Sequence, residues 1–204
     1  MSENIKIRRG KVQERIIRVL LNEPDGTLSK YRVMKLANGS QTWVYDYLKR
    51  LEHFEILEGT KVKDFNGLFN AWLKIRKIPE KKEYLIKNPL STLKYTNLNY
   101  ALTTYQAENI VQNFLFPTRT DIYINKNDEY PWHEILSNEG LVGKGNFRLL
   151  FDDDHVFYNI LEKKDLKIVS IPQLIVDLYM EGVVCVEAAD MLLRKMVKKY
   201  VQLK

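Results

Sequence analysis

Few residues in this chain are placed to make or break a covalent bond. The three histidines, His53, His133 and His155, stand apart, with no His-x-x-x-His and no Cys-x-x-Cys around which to build a zinc site. Asp152, Asp153, Asp154 and His155 form the one acidic cluster. Neighbours on a strand point to opposite faces and cannot close on one ion, so a polar hairpin tip explains the run. A restriction-type nuclease needs an Asp on one strand and Glu-x-Lys on the next. Asp121 could be the first, but Phe147–Phe151 contains no Glu-x-Lys, and Glu162-Lys163-Lys164 falls in a turn. The glycine-rich stretch GLVGKGN, Gly140–Asn146, lacks both the Walker spacing and the Ser or Thr after Lys, and reads as a flexible turn. Cys185 sits in the apolar run GVVCVEAA, where a thiol is buried and inert. These readings assign no catalytic residue, no metal ligand and no cofactor. An enzyme that processes DNA or uses a nucleotide would have only Asp121, Asp152–Asp154 and the GKG turn as raw material.

A different chemistry is written in GSQTWVYDYLKRLE, Gly39–Glu52. As a helix it has one apolar stripe, Val44, Leu48 and Leu51, at the spacing of a packed face. Its other side carries Thr42, Tyr45, Asp46, Lys49 and Arg50, with Trp43 at the start. A plain solvated face would be Glu and Lys. Gln pairs with adenine, Thr touches a thymine methyl, and Tyr, Lys and Arg bond phosphate. The candidate DNA contacts are Ser40, Gln41, Thr42, Trp43, Tyr45, Lys49 and Arg50. Lys61 and Lys63 join them at a hairpin, and Arg8, Arg9 and Lys11 form an N-terminal basic arm. Trp43 could equally pack within the domain, and Asp46 is unfavourable beside phosphate unless it reads cytosine or holds Arg50. Tyr47 leans to the core side. Lys74, Arg76 and Lys77 read as a solvated face.

The surrounding elements would have to present that helix. Lys11–Glu23 has helical periodicity through Val12, Ile16, Val19 and Leu20, and Pro24-Asp25-Gly26 ends it. Ser29 caps a second helix with Val33, Leu36 and Ala37 inward. Asn38 and Gly39 turn the chain through the left-handed region, and Ser40 caps the third helix. Ile56–Val62 and Leu68–Ile75 read as two strands joined by an Asn-Gly turn in KDFNG. Beyond the Lys-rich RKIPEKKE the pattern mixes strands and helices. Tyr105–Leu115 reads as a helix and Asp121–Asn125 as a strand. Phe147–Phe151 and Val156–Ile160 read as a hairpin around the Asp cluster, and Lys167–Val169 as an edge strand. Two helices, Pro172–Glu181 and Val186–Tyr200, close the chain.

Charge follows the same division. Residues 1–82 hold 18 Lys and Arg against 10 Asp and Glu, and residues 83–204 hold 14 against 16, so +8 faces −2 within a total of +6. Such asymmetry suits a polyanion partner for the first part. The single cysteine rules out internal disulfides and fits a reducing interior. Met1–Lys11 is polar and basic with no apolar run after it, and Ile171–Ala189 is broken by Asp177, Glu181 and Gly182. Neither a signal peptide nor a membrane span is expected, and the expected location is the cytoplasm.

Three helices and a hairpin in this order resemble a winged helix-turn-helix, carried by SKYRVMKLANGSQTWVYDYLKRLE. Further on, YALTTYQAENIVQ, FPTRTDIYIN, VFYNI and IVSIPQLIVDLYMEGVVCVEAADMLL resemble the second domain of AbiEi-type transcriptional regulators. These include the antitoxins of type IV toxin–antitoxin systems. The resemblance implies an α+β fold: a winged helix-turn-helix domain at 1–78, a linker at 79–83 and a small mixed α/β domain at 84–204. It also implies a repressor that binds double-stranded operator DNA as a homodimer. In true antitoxin systems the second domain counters a nucleotidyltransferase toxin without a catalytic site of its own. Under the resemblance, Tyr100–Thr104 leads into a helix, Arg119 and Asp121 lie at a strand, and Ser170–Leu178 is a late helix. Arg119 and Asp121 could pair with each other or contact a partner. A chain whose second domain serves only as a protein-interaction module is the remaining alternative.

Overall fold

The structure is a computed structural model that describes the backbone of residues 2–201 and the side chains of residues 10–200. It is mixed α+β and divides into two compact units. Unit 1 is Met1–Lys77 together with Leu193–Lys204, and unit 2 is Ile78–Leu192.

Unit 1 begins with helix α1 (Ser2–Asn22). Ile16, Ile17, Val19, Leu20 and Leu21 are all at most 1% exposed, so the last turns of α1 are enclosed on every side. Helix α2 (Lys30–Leu36) starts where expected, and the Ser29 hydroxyl accepts a hydrogen bond from the Arg32 amide. Asn38 takes the left-handed conformation (φ 50°). Gly39 does not, and its reason is space. A β-carbon there would lie 2.6 Å from Val44 Cγ2 and 2.9 Å from Val12 Cγ1. Helix α3 (Gln41–His53) follows, with Val44, Tyr47, Leu48 and Leu51 buried.

The expected two-strand segment after α3 is corrected. Strands β1 (Leu57–Glu58) and β2 (Lys61–Val62) form a short hairpin, and Leu68–Ile75 belongs to helix α4 (Phe65–Ile75). Leu68, Phe69 and Trp72 recur at helical spacing and are buried. Asn66-Gly67 is no hairpin turn but part of the first turn of α4. A β-carbon at Gly67 would sit 2.2 Å from the Asp64 carboxylate, which folds over that turn. Arg76, expected in a solvated face, is instead 8% exposed. It donates to Glu14 of α1 at 3.0 Å, the same carboxylate that accepts from Trp72 Nε1 at 3.2 Å.

Unit 2 opens with strand β3 (Glu80–Ile86), so most of the expected 79–83 linker is sheet. Helix α5 (Pro89–Tyr95), strand β4 (Ala101–Thr103), helix α6 (Thr104–Gln112), strand β5 (Thr120–Ile124) and helix α7 (Glu129–Glu139) follow. Then come strands β6 (Gly140–Val142), β7 (Phe147–Phe151), β8 (Leu161–Lys163) and β9 (Leu166–Ile168), helix α8 (Ile171–Glu181), and helix α9 (Val184–Val201). The sheet order is β6-β3-β7-β5-β4-β9-β8, with β7-β5 and β4-β9 parallel and the other pairs antiparallel. Every residue of β5 is buried, as expected of a strand near the middle of the sheet.

Two strand expectations fail here. Val156–Ile160 is not a strand, because Asp153 accepts from the His155 amide and starts a 3-10 turn. The Lys167–Val169 segment, expected at an edge, contributes β9, which is flanked on both sides by β4 and β8. The expected second domain ended at 204, whereas the last residues of α9 group with unit 1.

Candidate nucleic-acid interface

Helix α3 separates its residues cleanly. Gln41, Thr42, Asp46, Lys49 and Arg50 are exposed and Trp43 and Tyr45 half-buried, while the opposite face is sealed. The Trp43 ring stacks on Tyr47 at 5.5 Å, and the Arg50 guanidinium lies 5.5 Å from the centroid of the same Tyr47 ring. Trp43 is thus held by its own helix. Burial pushes the Tyr47 hydroxyl up to about 12, against the pull of Arg50, so it stays protonated at neutral pH. Ser40 occupies the N-cap position with extended backbone, but its hydroxyl makes no capping hydrogen bond and is exposed.

The hairpin is tied down at three points. Glu52 of α3 accepts from the Gly59 amide at 2.8 Å and from Lys30 of α2 at 2.9 Å. The Lys30 hydrogen bond, above all, holds the Glu52 carboxyl below its ordinary range. The Thr60 hydroxyl donates to the carbonyl of Leu28, and the Val62 amide to that of Pro24 at 2.9 Å. Asp25 and Lys61 form a further antiparallel bridge. At the hairpin, Lys61 is half-buried; Lys63 is exposed and pairs with Glu58 at 3.1 Å, so part of its charge is already answered. Lys11 is exposed. Arg8 and Arg9 lie outside the described side chains.

Sequence reasoning missed the outer face of α2. Tyr31 (55% exposed), Arg32 and Lys35 are all exposed there, with the Lys35 ammonium 5.5 Å over the Tyr31 ring. The i, i+4 spacing of Tyr31 and Lys35 was the available signal. The structural division also sharpens the charge contrast. Unit 1 holds 21 Lys and Arg against 9 Asp and Glu, and unit 2 holds 11 against 17, so +12 faces −6.

In unit 2 the polar residues answer one another. Glu83, Arg148, Asp121 and Thr103 are consecutive register partners across β3, β7, β5 and β4. Arg119 hydrogen-bonds Asp121 at 2.8 Å, forms an ion pair with Glu181 and lies 4.9 Å over the Tyr105 ring, so of the two readings left open for Arg119 and Asp121 the mutual pair is formed. Thr104 donates to Asp121, and Arg148 forms an ion pair with Glu83 at 3.0 Å. Asp177 accepts from Thr103 at 2.7 Å and Tyr123 at 3.0 Å. Burial raises the Cys185 thiol, which suppresses thiolate formation. The GLVGKGN stretch is structured. It supplies β6, and the Asn146 side chain bonds both backbone groups of Ile86. Among the described residues no three His, Cys, Asp or Glu side chains are grouped to hold a metal ion. Among them, too, no helix is long and apolar enough to cross a membrane.

Compared with models of protein families, with curated proteins and with solved structures, the chain matches none of them.

Proposed function

We propose that the chain is a sequence-specific DNA-binding regulator whose unit 1 acts as a winged helix-turn-helix. The observation that carries this reading is the outward row Gln41, Thr42, Asp46, Lys49 and Arg50 on a unit of formal charge +12. In that arrangement α3 enters the major groove by its N-terminal turn, where Gln41 and Thr42 meet base edges. Lys49 and Arg50, two turns on, bond backbone phosphates. Helix α2 crosses the backbone with Arg32 and Lys35, and the β1–β2 hairpin is a minimal wing. Two half-sites require two chains, so the active species is a homodimer acting in the cytoplasm as a repressor. The resemblance to AbiEi-type regulators adds a role for unit 2 as the part that meets a nucleotidyltransferase toxin. That antitoxin role rests on the resemblance alone.

The test is competitive binding of a duplex from upstream of the chain's own gene against a shuffled duplex of equal length. The upstream duplex is expected to win, with log affinity falling steeply against log salt as counterions are released. The Lys49→Ala/Arg50→Ala variant is expected to keep its melting temperature and lose roughly tenfold or more in affinity at moderate salt, the scale of about two phosphate contacts. Equal binding of both duplexes, or full affinity in the variant, would overturn the reading.

A further inference from the structure

The end of α9 is amphipathic in a way the wing and α3 do not explain. Leu193 and Met196 are buried and Val197 and Tyr200 half-buried, on one side. Arg194, Lys195, Lys198 and Lys199 are exposed and lie on the opposite side, at i, i+4 spacings 194/198 and 195/199. No Asp or Glu occurs between Met191 and Val201. A merely solvated helix face intersperses carboxylates, because like charges at i, i+4 repel and weaken the helix.

The apolar side of this helix end is anchored near the hairpin. Tyr200 stacks on Phe65 at 6.2 Å with the rings 24° apart, and Phe65 begins α4 three residues after β2. Glu23 and Asp25 act on the Tyr200 hydroxyl, which burial first of all raises. Asp25 bridges directly to Lys61 of β2. The end of α9 that bears these cations therefore belongs to the same unit as Lys61 and Lys63, and it packs through Tyr200 against the start of α4.

We propose that Lys198 and Lys199 form a second phosphate-binding surface that grips the nucleic-acid backbone flanking the segment read by α3. It rests on the reading of unit 1 as a DNA-binding unit. It is sequence-blind, since it offers ammonium groups to phosphates and nothing to base edges. It lengthens the bound segment and adds to the salt dependence. The plain competitor is a helix-end role, in which cations in the last turn complement the helix dipole.

The experiment measures affinity of the full chain for a long and a short duplex, both centred on the bound sequence, across a salt series. The Lys198→Gln/Lys199→Gln variant is expected to lose about tenfold in affinity on the long duplex. Its slope of log affinity against log salt should fall by about 1.8, the value for two lost phosphate contacts. The loss is expected to vanish on the short duplex, and Lys198→Arg/Lys199→Arg should restore it. An unchanged slope on the long duplex overturns the proposal, whether or not the melting temperature drops; a drop alone indicates the helix-end role. If the wild-type chain shows no preference for its upstream duplex, the regulator reading fails. The slope comparison on a random long duplex then still decides whether the stripe binds phosphate.

Discussion

Val183 and Thr104 share a backbone conformation that β-branched residues rarely accept, with φ of 46° and 51°. Their surroundings differ completely. Val183 is 89% exposed at the corner between α8 and α9, so its side chain gains no burial in return for the strain. Thr104 is 4% exposed, and its hydroxyl donates to the Asp121 carboxylate that also holds Arg119. Opposite signs follow for the same substitution. Val183→Gly is expected to raise unfolding free energy by about 0.5–1 kcal/mol, since relief of left-handed strain exceeds the added entropy of the unfolded chain. Thr104→Gly is expected to lower it by about 1–3 kcal/mol, because a buried charged acceptor loses its donor. Urea unfolding of both variants checks the pair. A stabilising Thr104→Gly would mean that the hydroxyl contributes less than the strain costs. At this scale the sequence was a good guide to α3, where residue type alone separated the exposed polar row from Val44, Tyr47, Leu48 and Leu51. It was a poor guide to Arg76 and Lys63, whose partners Glu14 and Glu58 are set by the fold and by hairpin pairing.

Between α2 and α3 the chain has four residues, 37–40, in which to reverse, and the close approach at Gly39 is what that turn requires. Gly39→Ala would push a methyl group into Val44 and Val12, both part of the contact between helices. It is expected to cost about 1–3 kcal/mol of stability, the range for overpacking a filled site, with DNA affinity falling if α3 tilts. Unchanged stability in thermal unfolding would show that the helices can give way there. Helices α2 and α3 and the end of α1 were legible because each has apolar periodicity and a residue that starts or stops it; the start of α1 at Ser2, nine residues before the expected Lys11, was not. Helix α4 was not, since Asn66-Gly67 carries the strongest local turn signal while Leu68, Phe69 and Trp72 carry the helical one, and burial of those three decides the outcome. Strand β3 hid behind Glu80, Lys81, Lys82 and Glu83, a charged run that only its pairing with β7 makes a strand. Strand β4 is three residues long, too short for any period to declare itself. In α7, Pro131 interrupts the pattern, and only Trp132 and Leu136 are buried.

For the whole molecule, charge and topology divide together. The sequence placed +8 before residue 83; the fold returns the basic end of α9 to unit 1 and raises the contrast to +12 against −6. No local pattern announces such a return, because it depends on where a helix ends in space. Unit 2 then has a sheet whose central charges are paired internally, while α3 of unit 1 carries Lys49 and Arg50 outward. The proposed division of labour is that unit 1 meets nucleic acid and unit 2 does not. The single cysteine makes the decisive measurement practicable, since Cys185 is buried. In a Cys185→Ser background, Thr42→Cys gives α3 one exposed thiol to which an iron chelate that cleaves DNA can be attached, and Lys94→Cys gives unit 2 the same. With the chain bound to its upstream duplex, cleavage from position 42 is predicted to fall on a few base pairs inside the protected segment, in the major groove, and cleavage from position 94 to be absent there. Protection of the duplex without cleavage from position 42, or strong cleavage from position 94 at its centre, would contradict the account.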